Sequence, residues 1–265
     1  MISGSTRVFA LLGDPVAHSL SPTMQNAAFR ALGLEAAYVP LRCRAGDLPD
    51  LLRVLVRAEG GGNVTVPHKE AAARAVQRGS DQVTALGACN TFWGEDGVIA
   101  GENTDVAGLV EALDRLDAPE GPWLVFGTGG GARAAVGAAL RRGVGLAITS
   151  RSPDRRQAFV DWVGSLGGTI VPPESCRVVI NATPLGLHFD DPLPPPPPRG
   201  VEVALDMVYA RGETQWVRAM RTKGLRASDG RAMLVGQGAA AFERWFPGVG
   251  APTEIMRAAV DAALR

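Results

Sequence analysis

Apolar positions along the chain switch repeatedly between a spacing of two and a spacing of three to four, the signature of strands alternating with helices. Arg7 to Leu12 reads as an apolar strand ending in the turn Gly13-Asp14-Pro15. Ser21 is placed as an N-cap with Pro22 at the first helical position, and that helix runs through Met24, Ala27, Ala28 and Leu32 to stop at Gly33. Ala36 to Leu41 predicts a second strand. Asp47 is placed as the cap of a helix from Leu48 to Ala58, with Leu51, Leu52, Leu55 and Val56 as its apolar face. Gly60 to Pro67 predicts a third strand leading into a helix, with His68 and Lys69 in its first turn; His68 reads as a surface or capping residue. Two short strands, Gly87 to Trp93 and Val98 to Gly101, flank the turn Gly94 to Gly97. Val106, Leu109, Val110 and Leu113 mark a helix capped by Thr104 or Asp105.

The breaker cluster Pro119 to Pro122 opens a second domain. Its strands are predicted at Trp123 to Phe126, Val144 to Thr149, near Thr169 to Val171, at Val178 to Asn181 and at Val201 to Asp206. Helices are expected over Ala132 to Leu140, Glu213 to Lys223, from Asp229-Gly230 through Met233, Leu234, Gln237 and Phe242, and over Pro252 to Leu264. The run Pro194 to Pro198 must be polyproline II or irregular, a stiff surface loop. The alternation predicts an α/β protein: an N-terminal domain with a mainly parallel sheet, then a Rossmann-type domain.

Bulk properties narrow the function. The chain has 265 residues, 46% hydrophobic and 20% charged, with no net charge, so no polyanionic partner such as nucleic acid is implied. Cys43, Cys89 and Cys176 are odd in number and scattered, which argues for reduced thiols and against a disulfide frame or a metal site. No apolar run approaches the roughly 18 residues of a membrane span. The first residues carry no signal-peptide core, so a cytoplasmic location is expected.

The glycine turn after Phe126 carries the first chemistry. Gly127, Thr128, Gly129, Gly130, Gly131 and Ala132 sit between a strand and a small-residue helix, the opening of a dinucleotide-binding unit. Gly127 allows the tight turn, Gly129 lets a pyrophosphate approach the backbone, and Ala132 lets helix and strand pack closely. The cofactor is chosen about 20 residues further on. There Ser150-Arg151-Ser152 stands where NAD enzymes carry an acid, and Arg155 follows one helical turn later, an arrangement that favours the 2′-phosphate of NADP. Lys69 is the other unusual residue, since a cation in the first turn of a helix opposes the helix dipole.

Several stretches together resemble the shikimate dehydrogenase family. They are Gly13-Asp-Pro-Val-Ala-His-Ser-Leu-Ser-Pro22, Asn63-Val-Thr-Val-Pro-His-Lys69, Gly87-Ala-Cys-Asn-Thr91 and Gly101-Glu-Asn-Thr-Asp105. The glycine turn, Ser150-Arg-Ser152, Asn181-Ala-Thr-Pro-Leu-Gly186, Asp206-Met-Val-Tyr209 and Gly230-Arg-Ala-Met-Leu-Val-Gly-Gln237 follow in the family's order. The resemblance implies a substrate domain of residues 1–105 plus 233–265, an NADP-binding domain of residues 106–232, and a cleft between them. It implies an NADP-dependent oxidoreductase acting on a CH–OH group, the reversible reduction of 3-dehydroshikimate to shikimate in aromatic amino-acid biosynthesis, with a monomer or homodimer expected. Ser19 and Ser21 would bind the substrate carboxylate. Asn63, Thr65, Asn90 and Gln237 would hold its hydroxyls and ring, Lys69 and Asp105 would form the catalytic pair, and Tyr209 would line the cleft. Thr183, Met207 and Gly230 would join the cofactor site. Gln25-Asn26 departs from the family's usual His-Asn, Ser150 and Ser152 from its Asn and Thr, and Arg211 from a common proline. Two alternatives remain: a quinate/shikimate or aminoshikimate dehydrogenase with broader substrate or NAD use, and a non-catalytic NADP-binding sensor.

Overall fold

The chain divides into two units in its computed structural model, which describes residues 2–187 and 190–265. One unit takes residues 1–108 and 234–263, the other residues 109–233 and 264–265.

The first unit contains β1 (Arg7–Gly13), α1 (Ser21–Ala31), β2 (Ala36–Arg42), α2 (Leu48–Arg57), β3 (Gly61–Val64), α3 (Lys69–Ala75), β4 (Arg78–Gly79), α4 (Asp81–Leu86), β5 (Thr91–Glu95) and β6 (Val98–Glu102), and begins α5 (Asp105–Asp114). Its sheet runs β2-β1-β3-β5-β6-β4. β1 is parallel to β2 and β3, and β4 to β6, while β5 runs antiparallel to both neighbours. Alternate residues of β1 face opposite ways. Ala10 and Leu12 pack with Leu48, Leu52, Val64 and Phe92 in a buried cluster. Phe9 on the other face stacks against Phe29, Trp245 and Phe246, with ring centroids 5.0–5.6 Å apart. Burying each such ring is worth about 1.5–3 kcal/mol. Gly62 at the centre of the sheet has φ +157°, and a Cβ there would lie 2.0 Å from the Ala10 carbonyl oxygen.

The second unit holds β7 (Trp123–Phe126), α6 (Gly130–Arg142), β8 (Leu146–Thr149), α7 (Pro153–Ser165), β9 (Val178–Asn181), β10 (Val203–Asp206), α8 (Gln215–Thr222) and β11 (Arg226–Ser228). α9 (Arg231–Trp245) starts in it, and α10 (Thr253–Ala263) belongs to the first unit. Its sheet is wholly parallel, in the order β11-β10-β9-β7-β8. The expected strand near Thr169 to Val171 contracts to one parallel bridge, Ile170 with Leu146. Glycines at 167 and 168 and prolines at 172 and 173 close in on it, and proline has no N–H to extend a ladder. With that bridge beside β8, the order is that of a doubly wound dinucleotide fold. The strands end in register: Thr149, Phe126, Asn181 and Asp206 lie side by side along the carboxyl edge.

One expected cap is displaced, and another, Asp47, holds its cap position without a side-chain bond. Leu20, not Ser21, holds the cap position of α1, and Ser21 is the first helical residue. A turn from Ser19 N–H to the Val16 carbonyl brings the Ser19 hydroxyl to accept from Ser21 N–H at 3.2 Å, so Ser19 does the capping work. Asp47 has helical backbone angles (φ −84°, ψ −17°) and makes no side-chain cap. All three cysteines are free and buried. Burial pushes the Cys89 thiol up to about 12 and the Cys176 thiol up to about 11.

Candidate active site

The end of β3 and the starts of α3 and α5 bring together most of the predicted substrate residues. Asn63 pairs with Thr91 across β3 and β5. Lys69 opens α3, and its carbonyl accepts from Cys89 N–H at 2.9 Å, which ties the helix to the segment carrying Asn90. Asp105 opens α5. The Lys69 ammonium donates to Asp105 Oδ2 at 2.5 Å, with both side chains largely shielded, 16% and 8% exposed. Asp105 Oδ1 accepts from Asn90 Nδ2 at 2.9 Å. Gln237 Oε1, on α9, lies 3.5 Å from the same Asn90 nitrogen, the outer limit of a hydrogen bond, while its Nε2 donates to the Leu234 carbonyl.

Buried hydrogen bonds hold these groups. Asn90 Oδ1 accepts from Thr104 N–H at 2.7 Å and lies within 3.2 Å of the Thr91 and Thr104 hydroxyls. Both amide hydrogens of Asn63 are spent, on the Asn90 carbonyl and the Thr91 hydroxyl. Asn63 therefore has no N–H left to donate and can meet a further partner only through its carbonyl oxygen. Ser19 and Ser21 stand 3.3 Å apart through their hydroxyls at the start of α1. Thr65, half-buried, joins β1 through its N–H to the Leu12 carbonyl.

His68 holds the cap position of α3, as one of its two expected readings had it, but it is not a surface residue. It is buried, and its Nε2 lies 2.9 Å from the Cys43 carbonyl, which can only accept. The imidazole therefore donates, and it pins the residue before Lys69 to the loop after β2. Two apolar-looking neighbours, Val66 and Pro67, are exposed instead. Thr91, Thr104 and His68 lie inside recognisable motifs, but only the three-dimensional register reveals their bonds.

Tyr209 lies in the second unit, in the segment after β10. So do all the predicted cofactor residues. Gly127 has φ +112°, and a Cβ on it would lie 2.9 Å from the Ala182 carbonyl oxygen. Gly129 caps α6, and a Cβ there would meet nothing within 4 Å. That open backbone at a helix N-terminus suits a phosphate. A Cβ on Gly131 would come within 2.9 Å of Met207 Sδ. Ser152 caps α7, accepting from Arg155 N–H at 3.3 Å, and Ser150 accepts from Ser152 N–H. Arg151 and Arg155 are exposed, whereas Arg156 donates to the Ile148 carbonyl.

A carboxylate that the motifs left without a role orders the rest of this edge. Asp206 accepts from Asn181 Nδ2 at 2.8 Å, Val208 N–H at 3.1 Å and the Thr214 hydroxyl at 2.8 Å. Asn181 Oδ1 in turn holds Thr183 through its N–H and hydroxyl. Met207 N–H bonds the Asn181 carbonyl, and Gly230 N–H bonds that of Val208. Burial pushes the Asp206 carboxyl up to about 6 against these three donors, which act in the opposite direction.

A doubly wound dinucleotide unit and an α/β unit with a shielded lysine–carboxylate pair define a nicotinamide-dependent oxidoreductase. Residues 11–92 match the shikimate dehydrogenase substrate binding domain, and residues 230–260 match the shikimate 5′-dehydrogenase C-terminal domain. The chain is 39% identical to the shikimate dehydrogenase (NADP(+)) of Methanothrix thermoacetophila, over 97% of this chain and 98% of that one. It is 42% identical to that of Rubrobacter xylanophilus, over 94% and 95%. The crystal structure of shikimate 5-dehydrogenase from Thermus thermophilus in complex with NADP(H) and shikimate matches 100% of both chains, at 36% identity and a TM-score of 0.87. The chain belongs to the shikimate dehydrogenase family.

Proposed function

We propose that the chain reduces 3-dehydroshikimate to shikimate with NADPH, reversibly, as a step of aromatic amino-acid biosynthesis, with the first unit holding the substrate and the second the cofactor. The observation that carries the catalytic assignment is the shielded contact between Lys69 and Asp105. Bound NADPH supplies the hydride. Reduction of a ketone builds negative charge on its oxygen, and a charged donor placed there lowers the barrier. Lys69 stabilises that oxygen and gives it a proton; in oxidation it takes the proton back. Asp105 orients the ammonium and accepts from a substrate hydroxyl. Ser19 and Ser21 bind the carboxylate, and Asn63, Thr65, Asn90 and Gln237 bind the remaining hydroxyls and ring.

The Gly127 to Ala132 turn holds the pyrophosphate, Arg151 and Arg155 the 2′-phosphate, with Ser150 and Ser152 beside them. Thr183, Met207 and Gly230 complete the cofactor site. The zero net charge supports a small-molecule enzyme over a nucleic-acid binder, and the proposal places it in the cytoplasm as a monomer or homodimer. Among the described residues no helix is long and apolar enough to cross a membrane. Following the absorbance of the reduced nicotinamide formed from NADP or NAD with shikimate or quinate tests the assignment. Turnover with shikimate and NADP well above the other three combinations is expected; a preference for quinate or NAD overturns it.

A further inference from the structure

Tyr38 belongs to none of the recognised motifs. It sits on β2, at the edge of the first unit's sheet, and only 2% of it is exposed. Burial holds its phenol well above the usual range, so the hydroxyl keeps its proton and acts as a donor. β1 separates β2 from β3, and Tyr38 reaches across it. In the register Tyr38 pairs with Phe9 and Phe9 with Gly61, so these three share one face, and Asn63 lies two residues further along that face. With no side chain at Gly61, Trp245 settles over that position and packs against the Tyr38 ring at 5.8 Å. The hydroxyl then donates to Asn63 Oδ1 at 2.7 Å.

Proton accounting orients everything beyond this bond. The Asn90 carbonyl can only accept, so Asn63 must turn its NH2 toward it and its oxygen toward Tyr38. The second Asn63 hydrogen goes to the Thr91 hydroxyl at 2.9 Å. Thr91 has one proton to give, and it reaches Asn90 Oδ1 directly at 3.1 Å or through the Thr104 hydroxyl at 2.9 Å. Asn90, its oxygen so occupied, presents Nδ2 to Asp105 Oδ1. Every bond from Tyr38 to Asp105 therefore donates in the same direction and ends on the carboxylate that grips Lys69. In such a chain each link polarises the next.

We propose that Tyr38 is a positioning residue for the reaction, acting through Asn63, Thr91 and Asn90 to fix the Asp105 carboxylate and, through it, the Lys69 ammonium. The inference rests on the assignment of Lys69 and Asp105 as the catalytic pair. The test compares kcat and both KM values for wild type, Tyr38→Phe, Thr91→Val, Thr91→Ser, the Tyr38→Phe/Thr91→Val double variant and Lys69→Ala, all well below their thermal midpoints.

Tyr38→Phe should lower kcat about tenfold, with KM for NADP within about twofold of wild type. Thr91→Ser, which keeps the hydroxyl, should restore most of the turnover lost in Thr91→Val. The double variant should fall no more than about twofold below Thr91→Val, because the chain is already cut there. Wild-type turnover in Tyr38→Phe, or a double variant showing the full product of both losses, overturns the proposal. Should Tyr38→Phe fail to fold, equal turnover in Thr91→Ser and Thr91→Val overturns it and rescue by serine supports it. Lys69→Ala separates the two claims. An active Lys69→Ala protein overturns the catalytic pair and this inference with it, whereas an inactive one beside a normal Tyr38→Phe overturns this inference alone.

Discussion

Lys69 and Asp105 are each the first residue of a helix, and their charged ends meet 2.5 Å apart. The two positions are electrostatically unequal. A carboxylate is favoured at a helix N-terminus and an ammonium is not. The helix that suits Asp105 thus supplies the counter-charge for a lysine its own helix would disfavour. That cost to the fold supports the catalytic role proposed for Lys69.

Lys69→Ala should accordingly cut turnover by about two to four decades while changing KM for shikimate less than about tenfold. The two roles proposed for Lys69 reside in one group, so their losses are not expected to multiply. Lys69→Met keeps the stem's packing and should be equally inactive. Steady-state kinetics on folded variants provide the check, and near-normal turnover in either one rules out the assignment.

Arg151→Asp should weaken NADP binding by about 1.5–3 kcal/mol, roughly 10- to 150-fold, through loss of a charge-assisted contact. NAD, which lacks the 2′-phosphate, should lose far less. Titration of both cofactors by fluorescence distinguishes the cases, and an unchanged ratio of affinities would show that Arg151 does not meet the phosphate.

Ser19→Ala carries two effects that separate by measurement. Loss of the acceptor for Ser21 N–H should cost about 0.5–2 kcal/mol of stability, read from denaturant unfolding. Loss of a carboxylate donor should raise KM for shikimate more than KM for NADP. A stability change with both KM values unmoved would leave Ser19 a capping residue only.

Asp206 makes stability depend on pH in an unusual sense. Its folded value of about 6 lies above its reference value of 3.8, so the folded state binds the proton more tightly. The stabilisation is complete below the lower value and is lost as pH rises through the higher one. Its magnitude is about 3 kcal/mol. Asp206→Asn keeps the shape and cannot titrate. Its stability relative to wild type should therefore fall by most of that amount between pH 7 and pH 4, and a pH-independent difference would contradict the assignment.

Local sequence made some of this architecture visible and concealed the rest for identifiable reasons. The glycine turn, the apolar strands and the arginine at the end of β8 are short-range features, written in consecutive residues. β4 and β11 span only two and three residues, too few for any period to register. α4 is a six-residue helix whose signal is its cap, Ser80 accepting from Val83 N–H. Capping misled at Ser21, where a preceding turn moved the helix start; at Asp47 the cap position was right and only the side-chain bond is missing. His68 and Tyr38 were illegible for another reason. Their partners, Cys43 and Asn63, are 25 residues distant, and only the pairing of strands brings them within reach.

The buried thiols give the two units independent clocks. Cys89 sits beside Asn90 in the first unit, its Sγ directed at the Thr91 carbonyl, and Cys176 lies in the core of the second unit. Both are covered and held in the protonated form at neutral pH, so an alkylating reagent reacts only when the surrounding structure opens. The rate at which each sulfur is trapped, followed by peptide mass in one sample, reports the opening of one unit without reference to the other.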